Sequence, residues 1–185
     1  MNQTASPGAA APLSVAFIGF GEAGQTFARG LHEEGVRDIR LYDILFDTPQ
    51  SSLRATATAL AGELAGVRLC ASHVEAVRGA GLVFLAVTAA SSLDAARACL
   101  PGLGAGTLLL DINSVSPQRK RETAALLDAI GGGARYVDVA VMAAVAKPRH
   151  KVPCGSPKVK RPLGRTMCKA MAAPQARPNN RCCCH

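Results

Sequence analysis

Ser14-Val-Ala-Phe-Ile-Gly19-Phe20-Gly21-Glu22-Ala23-Gly24 decides the fold of this chain. Five apolar or small residues run into a Gly-x-Gly-x-x-Gly cluster. A helical pattern follows at once, with Ala23, Phe27 and Leu31 four residues apart on one face. Asp43 stands nineteen residues beyond Gly24, at the end of a second apolar stretch. Strand, glycine turn, helix, strand and acid in that order make the pattern specific, where the glycines alone would be a weak signal. Gly19 permits the tight turn, Gly21 lets a pyrophosphate approach the backbone, and Gly24 lets the helix pack on the strand. The helix start offers free N–H groups and partial positive charge to phosphates. Asp43 is suited to accept hydrogen bonds from an adenosine ribose and would repel a 2′-phosphate, so NAD is expected over NADP. Phe20, Glu22 and Ala23 complete the expected cofactor loop.

Outward from this unit the alternation continues. Strands are expected at Arg37–Asp43, Val67–Cys70, Gly81–Val87, Thr107–Ile112 and Ala134–Val141. Helices are expected from Glu22 to Glu34, ended by Gly35, and from Thr48-Pro49, read as N-cap and first helical residue, to Leu64. Ser72 with Glu75 forms a capping box for the next helix. Ser91 with Asp94 opens another, and Ser116-Pro117 starts the helix to Ile130. Gly81–Val87 is apolar throughout, as in a strand buried on both faces. Six strands alternating with helices predict an α/β, doubly wound parallel Rossmann sheet of six or more strands.

Composition sets the limits. In 185 residues there is room for one ordinary domain. Aromatics are only 4% and Trp is absent, so Ala, Val, Leu and Ile are expected to build the core. No apolar run approaches the roughly 20 residues of a membrane helix, and residues 1–13, read as a disordered leader, lack a secretory signal. The net charge of +8 suggests a nucleic-acid partner until it is placed. Ten Lys or Arg and no acid lie in residues 143–185, leaving eleven bases against thirteen acids in residues 1–142. The body, residues 14–142, is therefore the dinucleotide-binding domain, and 143–185 is a basic tail rich in Pro and Cys, expected to be disordered. That tail has no aromatic residue to stack bases, and no specific nucleic-acid partner is expected. Its Cys154, Cys168, Cys182 to Cys184, His150 and His185 contain no CxxC pair, which argues against a zinc site. Cys70 and Cys99, the only cysteines of the body, fit a reducing cytoplasm.

Ligands of open α/β sheets bind beyond the carboxyl ends of the strands. Asn113 and Ser114 lie there after the fifth strand, where they suit a carboxylate or hydroxyl of a substrate; the alternative is that Asn113 only shapes the turn. Ser116 is read as a helix cap.

Three stretches carry a resemblance. Val15-Ala-Phe-Ile-Gly-Phe-Gly-Glu-Ala-Gly24 with Ala28, Leu31 and Gly35, Asp111-Ile-Asn-Ser-Val-Ser-Pro117 and Tyr136-Val-Asp-Val-Ala-Val141 resemble the N-terminal domain of the 6-phosphogluconate and 3-hydroxyisobutyrate dehydrogenase superfamily. The likeness extends from Ser14 to about Pro153. It implies an NAD(P)-dependent oxidoreductase domain, hydride transfer from a small hydroxy or sugar acid to nicotinamide, and a cofactor border at Val87 and Thr88. It also implies Asn113 and Ser114 as substrate-side residues. The family places a catalytic Lys on a helix after this domain; Lys169 is the nearest candidate and stands too close to Asp138 to fit, so no catalytic residue is assigned. Met142-Ala-Ala-Val145 lacks the glycines of the family's substrate loop. The abrupt change after Pro153 reads as a frameshifted or truncated product. On this reading the chain binds cofactor without turnover, and no oligomer is expected without the C-terminal helical domain. A noncatalytic dinucleotide-binding or sensor domain is the alternative.

Overall fold

A computed structural model describes residues 12–130, 132–141 and 154–155. The leader through Ala11 and the tail apart from Cys154–Gly155 lie outside the described residues. So do Met142–Val145, Lys169 and the other tail cysteines.

Six parallel strands form the main sheet: β1 (Ser14–Ile18), β2 (Asp38–Tyr42), β3 (Val67–Leu69), β4 (Leu82–Leu85), β5 (Leu108–Asp111) and β6 (Arg135–Asp138). Their order is β3-β2-β1-β4-β5-β6, so the chain reverses its direction of travel across the sheet between β1 and β4. That reversal opens a crevice at the carboxyl ends of the strands. The connecting helices are α1 (Glu22–Glu33), α2 (Ser52–Glu63), α3 (His73–Val77), α4 (Ser92–Cys99) and α5 (Pro117–Ile130). The doubly wound α/β architecture expected from the alternation is the one observed.

Strand alternation sends side chains to two cores. Val15, Phe17, Ile39, Leu41 and Phe84 face α1 and α2, packing with Phe27, Leu31, Ala57 and Leu60. Ala16, Ile18, Val83, Leu85 and Leu109 face the other way, toward Ala76, Val77, Ala95, Ala96, Cys99 and Leu127. The first core corrects the expectation of an aliphatic interior. All five Phe residues are buried; Phe17 and Phe27 both stack on Phe84, at 4.9 and 5.6 Å between ring centres. Sparse aromatics are placed where their large apolar area counts most.

Local chemistry explains the other differences. Asp43 caps a 3-10 turn over Ile44–Asp47 through Leu45 N–H, at 2.9 Å. That turn takes up the Thr48-Pro49 segment's lead-in, and α2 begins only after Ser51, whose hydroxyl accepts from Leu53 N–H. The Ser72 capping box forms, with Glu75 N–H donating to Ser72 Oγ at 3.1 Å. Ser91 stands at the N-cap of α4 but makes no cap bond there. The expected sixth strand is divided: β6 ends at Asp138, and β7 (Ala140–Val141) pairs antiparallel with β8 (Cys154–Gly155).

Candidate functional site

The glycine turn joins β1 to α1, and each glycine has a distinct environment. Gly19 has φ +95°, and a Cβ there would lie 2.2 Å from the Ala86 carbonyl oxygen. Only glycine fits that position, which presses the turn against the end of β4. A Cβ on Gly24 would lie 2.5 Å from the Gly19 oxygen, so the absence of a side chain lets α1 close on the turn. Gly21 is exposed, and a Cβ there would meet nothing within 4 Å. It faces open space at the start of α1. Gly21 is also the N-cap, and no side chain caps the helix. The first-turn N–H groups of Glu22, Ala23 and Gly24 therefore lack a capping acceptor, the arrangement that receives an anion. Glu22 is exposed and Ala23 half-buried, so both would serve through backbone. Phe20 is wholly buried and packs edge-on against Phe46; only its backbone belongs to the site.

Asp43 ties the second strand to this turn. Its Oδ2 accepts from Phe20 N–H at 2.8 Å, and its Oδ1 accepts from Leu45 N–H. A carboxylate has about four acceptor positions, so two such bonds leave capacity for ligand hydroxyls. Beside it, Tyr42 and His73 are in ring contact at 4.4 Å. Burial holds the His73 imidazole below its usual range, opposed by the nearby Asp43 charge. No motif singles out His73, which the start of α3 brings to this edge.

Val87 and Thr88 follow β4. A Val87 methyl lies 3.0 Å from where a Gly19 Cβ would be, so this strand end borders the glycine turn. Thr88 is exposed, and its hydroxyl donates to Ser91 Oγ at 3.0 Å. One strand further along, Ile112 N–H donates to the Leu85 carbonyl, setting the β5 exit beside that of β4. Asn113 is buried there, with its backbone N–H and its Nδ2 both donating to Asp111 Oδ1, at 3.0 and 2.7 Å. Ser114 is exposed. Ser116 Oγ accepts from Arg119 N–H, the cap bond expected of it.

Sequence reading missed the charged cluster beneath Asn113. Asp111 is fully buried and accepts from Tyr136 O–H at 2.7 Å. Lys120 lies 3.3 Å from Asp111 and 3.0 Å from Asp138. Burial, and then the bond to Asp111, push the Tyr136 hydroxyl's pKa far up, so it remains a donor at ordinary pH. The available signal was the parallel register of Asp111 and Asp138, which becomes visible only once β5 and β6 are known to be neighbours.

A doubly wound sheet with a glycine turn, uncapped helix start and acid at the second strand defines the class: a nicotinamide-dinucleotide-binding oxidoreductase domain. Residues 14–115, more than half the chain, match the family described as NADP oxidoreductase, coenzyme F420-dependent, and the chain belongs to that family. No curated protein gives a significant match. Among solved structures, a conserved hypothetical protein from Sinorhizobium meliloti 1021 is 32% identical, with 79% of this chain and 47% of that one covered, at a TM-score of 0.69. A conserved protein described by its structural similarity to 3-hydroxyacid dehydrogenases is 27% identical, with 78% and 49% covered, at a TM-score of 0.63. Mycobacterium tuberculosis 3-hydroxyisobutyrate dehydrogenase with L-serine is 25% identical, with 72% and 42% covered, at a TM-score of 0.59. The chain thus spans less than half the length of each of these three proteins. The resemblance to hydroxy-acid dehydrogenases is supported by the last two. Among the described residues, no helix is long and apolar enough to cross a membrane.

Proposed function

We propose that this domain is the cofactor-holding half of a hydroxy-acid dehydrogenase and binds NAD in preference to NADP. The observation that carries the reading is the uncapped start of α1 behind the open face of Gly21, with Asp43 bonded to the same turn. The pyrophosphate would sit on the first-turn N–H groups, and Glu22 and Ala23 would contribute backbone only. Asp43 would accept from the adenosine ribose. Ile44 and Leu45, 60% and 46% exposed beside it, offer apolar surface for the adenine. The family description names NADP, yet the segment from Asp43 to Asp47 holds two acids and no base. Arg54, the cation near it, is engaged by the Phe46 carbonyl and by Asp47. A 2′-phosphate would meet negative charge there.

Bound NAD supplies the hydride acceptor. The chain's own residues bind and orient it: Gly19 to Gly24 and Asp43 at one end, Val87, Thr88, Asn113 and Ser114 toward the other. A small hydroxy acid is the substrate class the resemblance favours, with Asn113 and Ser114 on its side of the site. Lys120 is held by two carboxylates and a carbonyl, so it is not placed to accept the hydroxyl proton. No described residue is assigned that role. The unpaired buried thiols of Cys70 and Cys99 suit a reducing compartment such as the cytoplasm. Calorimetric titration of the full chain with NAD and NADP tests the reading. Tighter binding of NAD is expected, with no NADH formed from a panel of 3-hydroxy acids. Tighter binding of NADP would overturn the preference, and hydroxy-acid turnover lost on Lys169→Ala would place the proton acceptor in the tail.

A further inference from the structure

The buried charges below Asn113 have no part in the cofactor contacts described above. Asp111 and Asp138 are register partners on neighbouring parallel strands, so their side chains emerge on the same face of the sheet. Two carboxylates so placed repel unless a cation joins them. Lys120, in the first turn of α5, is that cation, only 9% exposed. Its Nζ donates to the Asp111 carbonyl at 2.9 Å and lies 3.3 Å from Asp111 Oδ1 and 3.0 Å from Asp138 Oδ1. Tyr136 O–H occupies Asp111 Oδ2. The Asp111 carboxylate is thereby fixed on both oxygens, and its Oδ1 accepts from Asn113 twice. A carboxylate only accepts, so it draws the Nδ2 end of the Asn113 amide inward and turns Oδ1 away from itself.

The location gives this geometry a use. The glycine turn follows β1. Asp43, which binds the adenosine end in the reading above, lies to one side of it, just after β2. Asn113 lies on the other side, beyond β4 and just after β5. A dinucleotide spanning the crevice with its adenosine at Asp43 extends its nicotinamide riboside toward Asn113.

We propose that Asp111, locked by Lys120 and Tyr136, is a positioning residue that sets the Asn113 amide to accept a hydrogen bond from the nicotinamide riboside half of the cofactor. This rests on the cofactor reading above and adds that the buried charges act on one half of the ligand only. The test compares NAD with ADP, which lacks the nicotinamide riboside, by calorimetry on the full chain. Tyr136→Phe removes a single hydroxyl and serves as the mild variant; Lys120→Met removes the cation, and Lys120→Arg retains the charge. Tyr136→Phe and Lys120→Met are expected to weaken NAD binding about fivefold each, the scale of one lost hydrogen bond, and to leave ADP binding unchanged. Lys120→Arg should restore most of the NAD affinity. Equal affinity of the wild-type chain for NAD and ADP would overturn the proposal. So would unchanged NAD binding in Tyr136→Phe, or a parallel loss of NAD and ADP in a variant that remains folded by circular dichroism. Failure of the wild-type chain to bind either ligand would instead remove the cofactor reading on which it rests.

Discussion

Gly21→Val separates ligand binding from folding. Gly21 has φ −66° and ψ −168°, an extended backbone with negative φ that does not require glycine. A Cβ there meets no atom within 4 Å. The substitution replaces a tolerated N-cap residue with a poor one, a cost of about 1 kcal/mol, partly offset by a less flexible unfolded chain. Its effect on the ligand is larger. The two added methyls occupy the space from which a pyrophosphate reaches the first-turn N–H groups. Losing two charge-assisted hydrogen bonds, at about 1.5–3 kcal/mol each, predicts at least a hundredfold loss of NAD affinity. The assay is NAD calorimetry beside urea denaturation. Gly19→Ala is the control: at φ +95° and 2.2 Å from the Ala86 oxygen, its Cβ should cost at least about 2 kcal/mol of stability. If Gly21→Val bound NAD as the wild type does, or unfolded as readily as Gly19→Ala, the assignment of the two glycines would be wrong.

Asp43→Ala should weaken NAD binding more than NADP binding, and should also lower the unfolding midpoint, because Phe20 N–H and Leu45 N–H lose their acceptor; paired titrations and a thermal melt check both. Gly24→Ala should destabilise the fold, since its Cβ would press on the Gly19 oxygen at 2.5 Å; a urea midpoint unchanged from wild type would contradict that packing. His73 predicts a pH dependence. Its folded pKa lies below the ordinary 6.5, so the folded state holds fewer protons than the unfolded one between the two values. Its stabilising contribution is complete above pH 6.5 and is lost as pH falls through the folded value. Urea midpoints measured from pH 7.5 to 5 should therefore fall less steeply in His73→Gln than in wild type.

Much of this was legible because it is local. The three glycines sit within six residues, and their separate roles follow from the strand before them and the helix after them. The Ser72–Glu75 box and the Ser116 cap are likewise complete within a few residues. The start of α2 was not legible. Thr48-Pro49 is a sound helix opening, but the Asp43 carboxylate captured Leu45 N–H first and set a 3-10 turn in between. Competition between two local hydrogen-bonding choices is not visible in either motif alone. The Asp111, Lys120, Asp138 and Tyr136 cluster was hidden for another reason. Its members come from two strands and a helix, and only the strand order brings them together. Asn113 could be named as a polar residue at a strand end, while the carboxylate that orients it could not.

The most direct measurement is an amide chemical-shift map of the full chain titrated with NAD. The account predicts saturable shifts at Gly19 to Gly24, Asp43 to Leu45, Val87, Thr88, Asn113 and Ser114, all at the carboxyl edge of the sheet. A folded chain whose amides did not move, or moved instead around Gly66, Gly81 and Thr107 at the opposite edge, would contradict it.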